Sequence, residues 1–244
     1  MKILQLNTWS ARIGQSVIDL LQEEDADLVC LQEVLSLESN MPSMLGVPLE
    51  GMLEELDYKN VFYSPVFNFR IMNRVGLWGN CIFSKRPFLS KEAMFTNLKF
   101  VEDFNFDEHD YNIRNFQHTV VKMNGKDLNV LNHHGHQIPE HKDGDASTMR
   151  QMNTIAKYLD ELTGPVVLAG DFNLSPHSES LKIINGRLTN LPLKYRLKTT
   201  RTLLTHKTEV CDYLFVSKDI TVNDFYASKK LVSDHLALIL DFDI

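Results

Sequence analysis

Carboxylates, amides and imidazoles recur along this chain at the ends of apolar runs. Gln5-Leu6-Asn7-Thr8-Trp9 closes the first run and Leu31-Gln32-Glu33 the second. Asn132-His133-His134, Gly170-Asp171-Phe172-Asn173 and Ser233-Asp234-His235 stand in the same position further on. Polar groups at the rim of an apolar core are costly unless they find partners, so this repeated placement points to one shared site. The residue types narrow the chemistry. Glu33, Asp171, Asn173, Asp234 and Asn7 offer oxygen, which suits Mg2+ or Mn2+. Such a cation offsets the charge that protects a phosphate ester and lowers the pKa of a bound water. No cysteine joins the set, so His134 and His235 read as donors to phosphate oxygens rather than as zinc ligands. Asp212 interrupts an otherwise apolar strand over residues 209–216. A carboxylate there needs a partner, and an imidazole, which it can orient and hold protonated, is the natural one.

These groups need strands that deliver them to one rim. Residues 2–7 read as a buried strand. Ile13, Val17, Leu20 and Leu21 repeat at helical spacing, which predicts a helix over 14–24. The run Leu28-Val29-Cys30-Leu31 has the pattern of a strand covered on both faces. Further strands are expected over 60–67 and 79–84, then over 116–123 and 127–132 around the hairpin signal Asn124-Gly125. Met152, Ile155, Ala156 and Leu159 mark a second helix, with Ser147 as a candidate cap and Gly164-Pro165 as its end. Residues 166–169 form the strand that delivers Asp171, and 210–216, 221–225 and 236–242 complete a strand-rich end. Residues 99–112 read as an acidic surface excursion. No fixed-period repeat or linker interrupts the chain, so residues 1–244 read as a single domain of mixed α and β type.

Composition narrows the partners. The chain has 244 residues, 43% of them hydrophobic, and a net charge of −7. An acidic total does not favour a nucleic-acid polyanion, which leans the reading towards a small phosphoester substrate and a monomer. Cys30, Cys81 and Cys211 are odd in number and lie in apolar stretches, the pattern of buried free thiols. No apolar run reaches the ~20 residues of a membrane span, and no leader is evident, so the expected location is cytoplasmic.

Taken in order, the motifs resemble those of the endonuclease/exonuclease/phosphatase superfamily, whose members include DNase I, apurinic endonucleases and inositol polyphosphate phosphatases. The likeness runs from Leu4 to Leu236. Leu6-Asn7-Thr8-Trp9 looks like the first motif, Leu31-Gln32-Glu33 the metal-binding glutamate, and Asn132-His133-His134 the N-T-H motif with His133 in place of threonine. Gly170-Asp171-Phe172-Asn173, Asp212-Tyr213 and Ser233-Asp234-His235 match G-D-F-N, D-Y and S-D-H. The resemblance implies a four-layer αββα sandwich, two packed mixed β-sheets flanked by helices, with the site at one rim. It implies that Glu33 binds the cation with Asn7 assisting, and that Asp171, beside Asn173, orients or deprotonates the attacking water. Asp212 would polarise His235, which with His134 stabilises the phosphoryl oxygens, and Asp234 would complete the rim. One or two cations remain open.

Each motif alone has an ordinary reading. Glu33 could be a solvated strand end, Gly-Asp-Phe-Asn an Asx turn, and Asp212 a structural ion-pair partner. The expected activity is a divalent-metal-dependent phosphoesterase acting by in-line attack of water. The alternatives are a DNA-repair endonuclease of the apurinic type and an inactive binding module on the same fold. Outside the motifs, His133, His136 and His141 read as exposed loop residues, Arg114 as a surface ion-pair former, and 198–201 as a solvated basic loop. Trp9 reads as packing beneath the site, and Tyr63, Phe67 and Phe69 as core or rim packing. The loops 35–51, 68–78, 99–115 and 135–146 are expected to set the substrate.

Overall fold

A computed structural model describes residues 1–37, 46–71 and 74–244; parts of the loops 35–51 and 68–78 therefore lie outside the described residues. Strand β1 (Lys2–Asn7), helix α1 (Gln15–Glu24) and strand β2 (Leu28–Leu37) open the chain. Helix α2 (Leu49–Glu55), β3 (Asn60–Ile71), β4 (Arg74–Ser84), β5 (Phe88–Asn97), β6 (Arg114–Met123) and β7 (Lys126–His134) follow. Then come α3 (Ala146–Glu161), β8 (Val166–Asp171), α4 (Glu179–Asn185), β9 (Thr189–Asn190) and α5 (Leu191–Lys194). Strands β10 (Asp212–Val216), β11 (Thr221–Ala227) and β12 (Leu238–Asp243) end it. Among the described residues these strands make two six-stranded sheets, ordered β11-β12-β1-β2-β4-β3 and β5-β6-β7-β8-β10-β9. The expected sandwich is observed.

Two parallel pairs anchor it. β1 runs parallel to β2 across the α1 crossover, and β7 parallel to β8 across α3. The remaining pairings are antiparallel. Helix α1 forms because Val17, Ile18, Leu20 and Leu21 fall on one face and bury against the first sheet. It stops at Asp25, which adopts a left-handed conformation and donates its N–H to Leu21 O. Helix α3 packs Met152, Ile155 and Ala156 on the second sheet. Its cap is Asp145, not Ser147: Asp145 accepts from Thr148 N–H while the Thr148 hydroxyl accepts from Asp145 N–H. Three residues beyond Ser147 stands Arg150, which cannot close such a box.

Alternation along the strands decides what reaches the inter-sheet space. On β1, Leu4 and Leu6 face α1 while Ile3 joins the core between the sheets. On β8, Val167 and Ala169 do the same, and on β10 Leu214 and Val216. A fully buried aliphatic side chain contributes about 1.5–3 kcal/mol, so this double-sided burial fixes the register of every central strand. Continued two residues at a time, the same inward rows change character. On β1 and β7 they pass from aliphatic (Ile3, Val130) to amide (Gln5, Asn132) and then to groups of the site (Asn7, His134), on β2 from Cys30 to Gln32, and on β8 from Ala169 directly to Asp171.

Several sequence expectations change. β3 and β4 run on to Ile71 and back from Arg74, so the expected 68–78 loop is largely a strand extension. α2, β5, α4, α5 and β9 have no counterpart in the sequence reading, and α2 with the end of β2 takes up both ends of the expected loop 35–51. The aromatics Phe104, Phe106 and Tyr111 of the expected surface excursion pack together beside Phe67 and Phe69.

Candidate active site

The amide layer is the floor of the site. Gln5 Nε2 donates to Gln32 Oε1 (2.8 Å) and to Asp212 Oδ1 (3.2 Å). Gln32 Nε2 donates to Asn132 Oδ1 (2.6 Å), and Asn132 Nδ2 to Gln117 Oε1 (3.0 Å). These side chains are fully buried and tie the two sheets together. Buried polar groups so connected define one arrangement, because any slip leaves donors unpaired.

Above this floor sit the charged groups. Asn7 Nδ2 bridges two carboxylates, Glu33 Oε1 at 3.1 Å and Asp171 Oδ2 at 3.0 Å, while its Oδ1 accepts from Trp9 N–H. Glu33 arrives there through a bulge. Leu31 pairs with Cys81 but Val34 with Gly79, so Gln32 and Glu33 together oppose one residue, and Glu33 takes a left-handed φ of 55°. The extra residue turns Glu33 to the same side as Gln32. Trp9, Ser10, Ala11 and Asn173 are also left-handed, at a cost on the order of 1–2 kcal/mol for each such residue. Backbone strain is thus gathered around the site. Gly170, with φ 148°, has no alternative residue: a Cβ there would lie 1.9 Å from His133 O. That close approach brings the ends of β7 and β8, with His134 and Asp171, side by side.

Asp212 is completely buried at the start of β10. Its two oxygens accept from His235 Nδ1 (3.0 and 2.8 Å), and Oδ2 also accepts from the Thr200 hydroxyl at 2.6 Å. His235 Nε2 stands against Arg201 Nη1 and 3.7 Å from Asp171 Oδ2. His134 Nε2 lies 3.9 Å from both Glu33 and Asp171. Asn173 N–H donates to Asp171 Oδ1 (2.9 Å), and Lys142 Nζ donates to Asn173 Oδ1 (2.8 Å). Glu33, Asp171, Asn173, Asp234 and His235 line one cavity of about 200 Å³ with Trp9, Gln137, Arg201 and Lys207.

Protonation follows from these contacts. Burial disfavours charge on His235, but Asp212 and Asp171 outweigh it and hold its pKa well above the ordinary value. Burial would raise Asp171, yet the charges of His235, Arg201 and Lys142 together keep it ionised, well below the carboxylate range. Glu33 moves the other way: burial raises it, and the Asn7 hydrogen bond offsets this only in part. Burial and the Arg114 charge hold His134 neutral. The ligating atoms of Asp171, Cys211, Asp212 and His235 lie within 4.8 Å of one another, a spacing able to hold a metal ion. Cys211 is the exception in chemistry. Burial and Asp212 push its thiol up to about 11, and it donates to Asp212 Oδ2 at 3.3 Å, leaving an Asp/Asp/His set.

The sequence pattern of the Endonuclease/Exonuclease/phosphatase family matches residues 4–235. The chain belongs to that family. Solved structures agree on the fold. An endonuclease/exonuclease/phosphatase from Beutenbergia cavernae superposes with a TM-score of 0.75 at 18% identity, over 99% of this chain and 71% of that one. A mannosyl-6-phosphatase from Bacteroides thetaiotaomicron gives 0.70 at 18% identity over 100% of both chains. D. rerio TDP2, complexed with a single-strand DNA product, gives 0.69 at 15% identity over 100% of this chain and 99% of that one. No curated protein sequence matches the chain.

Each family motif residue singled out in the sequence reaches this rim: Asn7, Glu33, His134, Asp171, Asn173 and Asp234 around the cavity, with Asp212 behind His235. Three other expectations fail. His133 is fully buried, not exposed; it faces the helix side of β7 and packs on Phe172. Arg114 is buried, not a surface ion-pair former, and donates to the carbonyls of Gly135, Tyr111 and Ile113. Arg201 is 7% exposed rather than part of a solvated loop, because its strand-like segment bridges His235. Gln5 and Gln32 were legible by alternation, two residues before Asn7 and directly before Glu33. Arg201 and Lys142 carried no local signal.

Proposed function

We propose that the protein is a divalent-cation-dependent phosphoester hydrolase in which water attacks phosphorus in line. One observation carries this reading: Glu33, Asp171, Asp234 and His235 open on a single small polar cavity. The donor set supports a hard cation. Three carboxylates converge with no thiolate among them, and Glu33 is already raised by burial and by its carboxylate neighbours, a like-charge cost that a cation relieves. Glu33 and Asp171, with Asp234 on the same rim, are the groups to hold Mg2+ or Mn2+. Asn7 and Asn173, expected as ligands, instead position the acids, because the Asn7 oxygen accepts from Trp9 N–H while its Nδ2 faces the carboxylates, and the Asn173 oxygen accepts from Lys142. When bound, the cation would neutralise phosphate charge and acidify water.

The chain's own groups supply the rest. Asp171 is ionised and fixed by Asn7 and by Asn173 N–H. Held well below its ordinary range, it is a weak base, so it orients the water and takes the proton only as the P–O bond forms. His235, charged and held by Asp212, and Arg201 present positive charge to the phosphoryl oxygens. His134 adds a neutral donor. A small phosphoester is favoured over a nucleic acid by the net charge of −7. The complete acid set speaks against an inactive binding module.

The test is a panel of phosphomonoesters and diesters incubated with magnesium, beside Asp171→Ala. Turnover lost in the variant, with its circular dichroism unchanged, supports the reading. Folded protein that turns over no ester with magnesium or manganese overturns it.

A further inference from the structure

A second cavity continues the polar one. It measures about 360 Å³ and shares Trp9, Glu33 and Gln137 with it. Its volume falls within the roughly 300–1,000 Å³ of small-ligand sites. Its walls are of another kind: Leu35, Phe67, Phe69, Trp78, Phe106 and Tyr111. The join is direct, since the Trp78 indole lies 5.8 Å from the His134 imidazole, centroid to centroid.

The backbone builds this cleft deliberately. The bulge that turns Glu33 is matched on β3, where Pro65 pairs with Gly79 but Phe67 with Trp78. Beyond the two bulges, the ends of β2, β3 and β4 form an extension with an apolar cluster of its own, shared with Phe104 and Ile113. Phe67 and Phe69 share one face of that extension, and Leu35 and Trp78 sit on it by register. Gly76, opposite Phe69, leaves the ring room: a Cβ there would come within 2.5 Å of it. Residues 98–113 close the far side. Val101 bridges Phe67, and Phe104 N–H donates to Asn68 O at 2.7 Å. Phe104 stacks on Phe67 at 4.1 Å, and Phe106 stands edge-on to Phe69 at 5.5 Å. Phe106 and Tyr111 nevertheless remain 46% exposed. Aromatic rings anchored on a rigid base yet open to solvent beside a reaction site mark a surface that a ligand covers. At its floor, Arg114 is held by main-chain carbonyls alone among its hydrogen bonds, so its charge is available to a nearby anion.

The geometry points to a substrate whose phosphate sits in the polar cavity and whose alcohol carries a flat apolar ring that lies between Trp78 and Phe106. This assignment rests on the hydrolase reading and adds the substrate class. A ring buried there is worth roughly ten- to hundredfold in kcat/KM over an ester lacking it.

Two esters of similar leaving group separate the effects: ethyl phosphate and para-nitrophenylethyl phosphate. The expected result is at least a tenfold preference for the second, falling to near equality in Phe106→Ala. Phe106 is exposed enough to be truncated without loss of the fold. Equal rates for both esters in the unaltered protein would refute the cleft while leaving the hydrolase intact. If neither ester is turned over, the wider panel of phosphomonoesters and diesters decides the hydrolase reading, and binding decides the cleft by itself. Both tryptophans of the chain, Trp9 and Trp78, line this cavity. Non-hydrolysable para-nitrophenylpropylphosphonate should therefore quench their fluorescence saturably, where propylphosphonate does not. Absence of that quenching overturns the proposal.

Discussion

The two compartments of the cleft meet at Trp9, Glu33 and Gln137, yet they are built by opposite rules. The polar compartment draws on both sheets. Its groups sit at strand ends whose registers are locked by aliphatic rows beneath them, and nearly every polar atom has a named partner. The aromatic compartment takes its base of rings from strands of one sheet, beyond a pair of bulges, with residues 98–113 folded over it. Its rings touch one another and solvent. Position matters to within a fraction of an ångström in the first; in the second, apolar area matters more than placement. Damage to the polar side should therefore appear in kcat, and damage to the aromatic side in the choice of ester.

The largest effect expected is at Asp171. Asp171→Asn keeps the shape and the contact with Asn173 N–H but removes the charge; it should lower kcat at least roughly a thousandfold, about 4 kcal/mol of barrier. Steady-state kinetics on the best ester of the panel reads this, and a loss under tenfold would erase the contrast between compartments. Glu33→Gln comes next, with roughly a hundredfold loss at fixed magnesium, partly recovered at high concentration. A magnesium titration of activity distinguishes that from a loss independent of the cation.

A smaller effect is expected one layer down. Gln5→Leu leaves Gln32 Oε1 without a donor and leaves Asp212 Oδ1 with His235 Nδ1 alone. It should cost about 1–3 kcal/mol of stability in urea and roughly tenfold in kcat through looser support of Asp212. A variant as stable as the parent would show that the amide layer does not hold the site.

The smallest lies behind the polar compartment, on the helix side. Neither ring nitrogen of His133 completes a hydrogen bond of ordinary geometry, the Asn115 backbone offering only a weak contact. Burial pushes its pKa from 6.5 down to about 3. Between those values the unfolded chain binds a proton that the folded chain refuses. Stability is thus whole above pH 6.5 and declines as pH falls towards 3. His133→Phe should gain about 1 kcal/mol at neutral pH and lose less on acidification. Urea midpoints at pH 7.5 and 5 test both signs.

The same contrast governs what could be read in advance. The acids and imidazoles of the polar compartment were legible because most of them end apolar runs, and alternation carries side chains inward at known steps. The α1 and α3 faces were legible for the same reason of period. The aromatic compartment was not. Phe67 and Phe69 read correctly as packing residues, but a bulge has no residue signature, so the extension of β2, β3 and β4 past it was invisible. Phe104, Phe106 and Tyr111 sit among acids and asparagines whose polarity suggests solvent. β5 escaped notice because an edge strand with most of its side chains exposed lacks a buried row. Arg201 and Lys142 reach the site only through tertiary bridges, to His235 and Asn173, that no local spacing encodes.

The central claim is that acids scattered from Glu33 to Asp234 form one cation site in the folded protein. Titration of chelator-stripped protein with Mn2+, followed by electron paramagnetic resonance of the free ion, tests it without any substrate. The account predicts saturable binding to the unaltered protein and at least roughly tenfold weaker binding to folded Glu33→Gln. Equal affinity in the two proteins, or no binding in either, would contradict it.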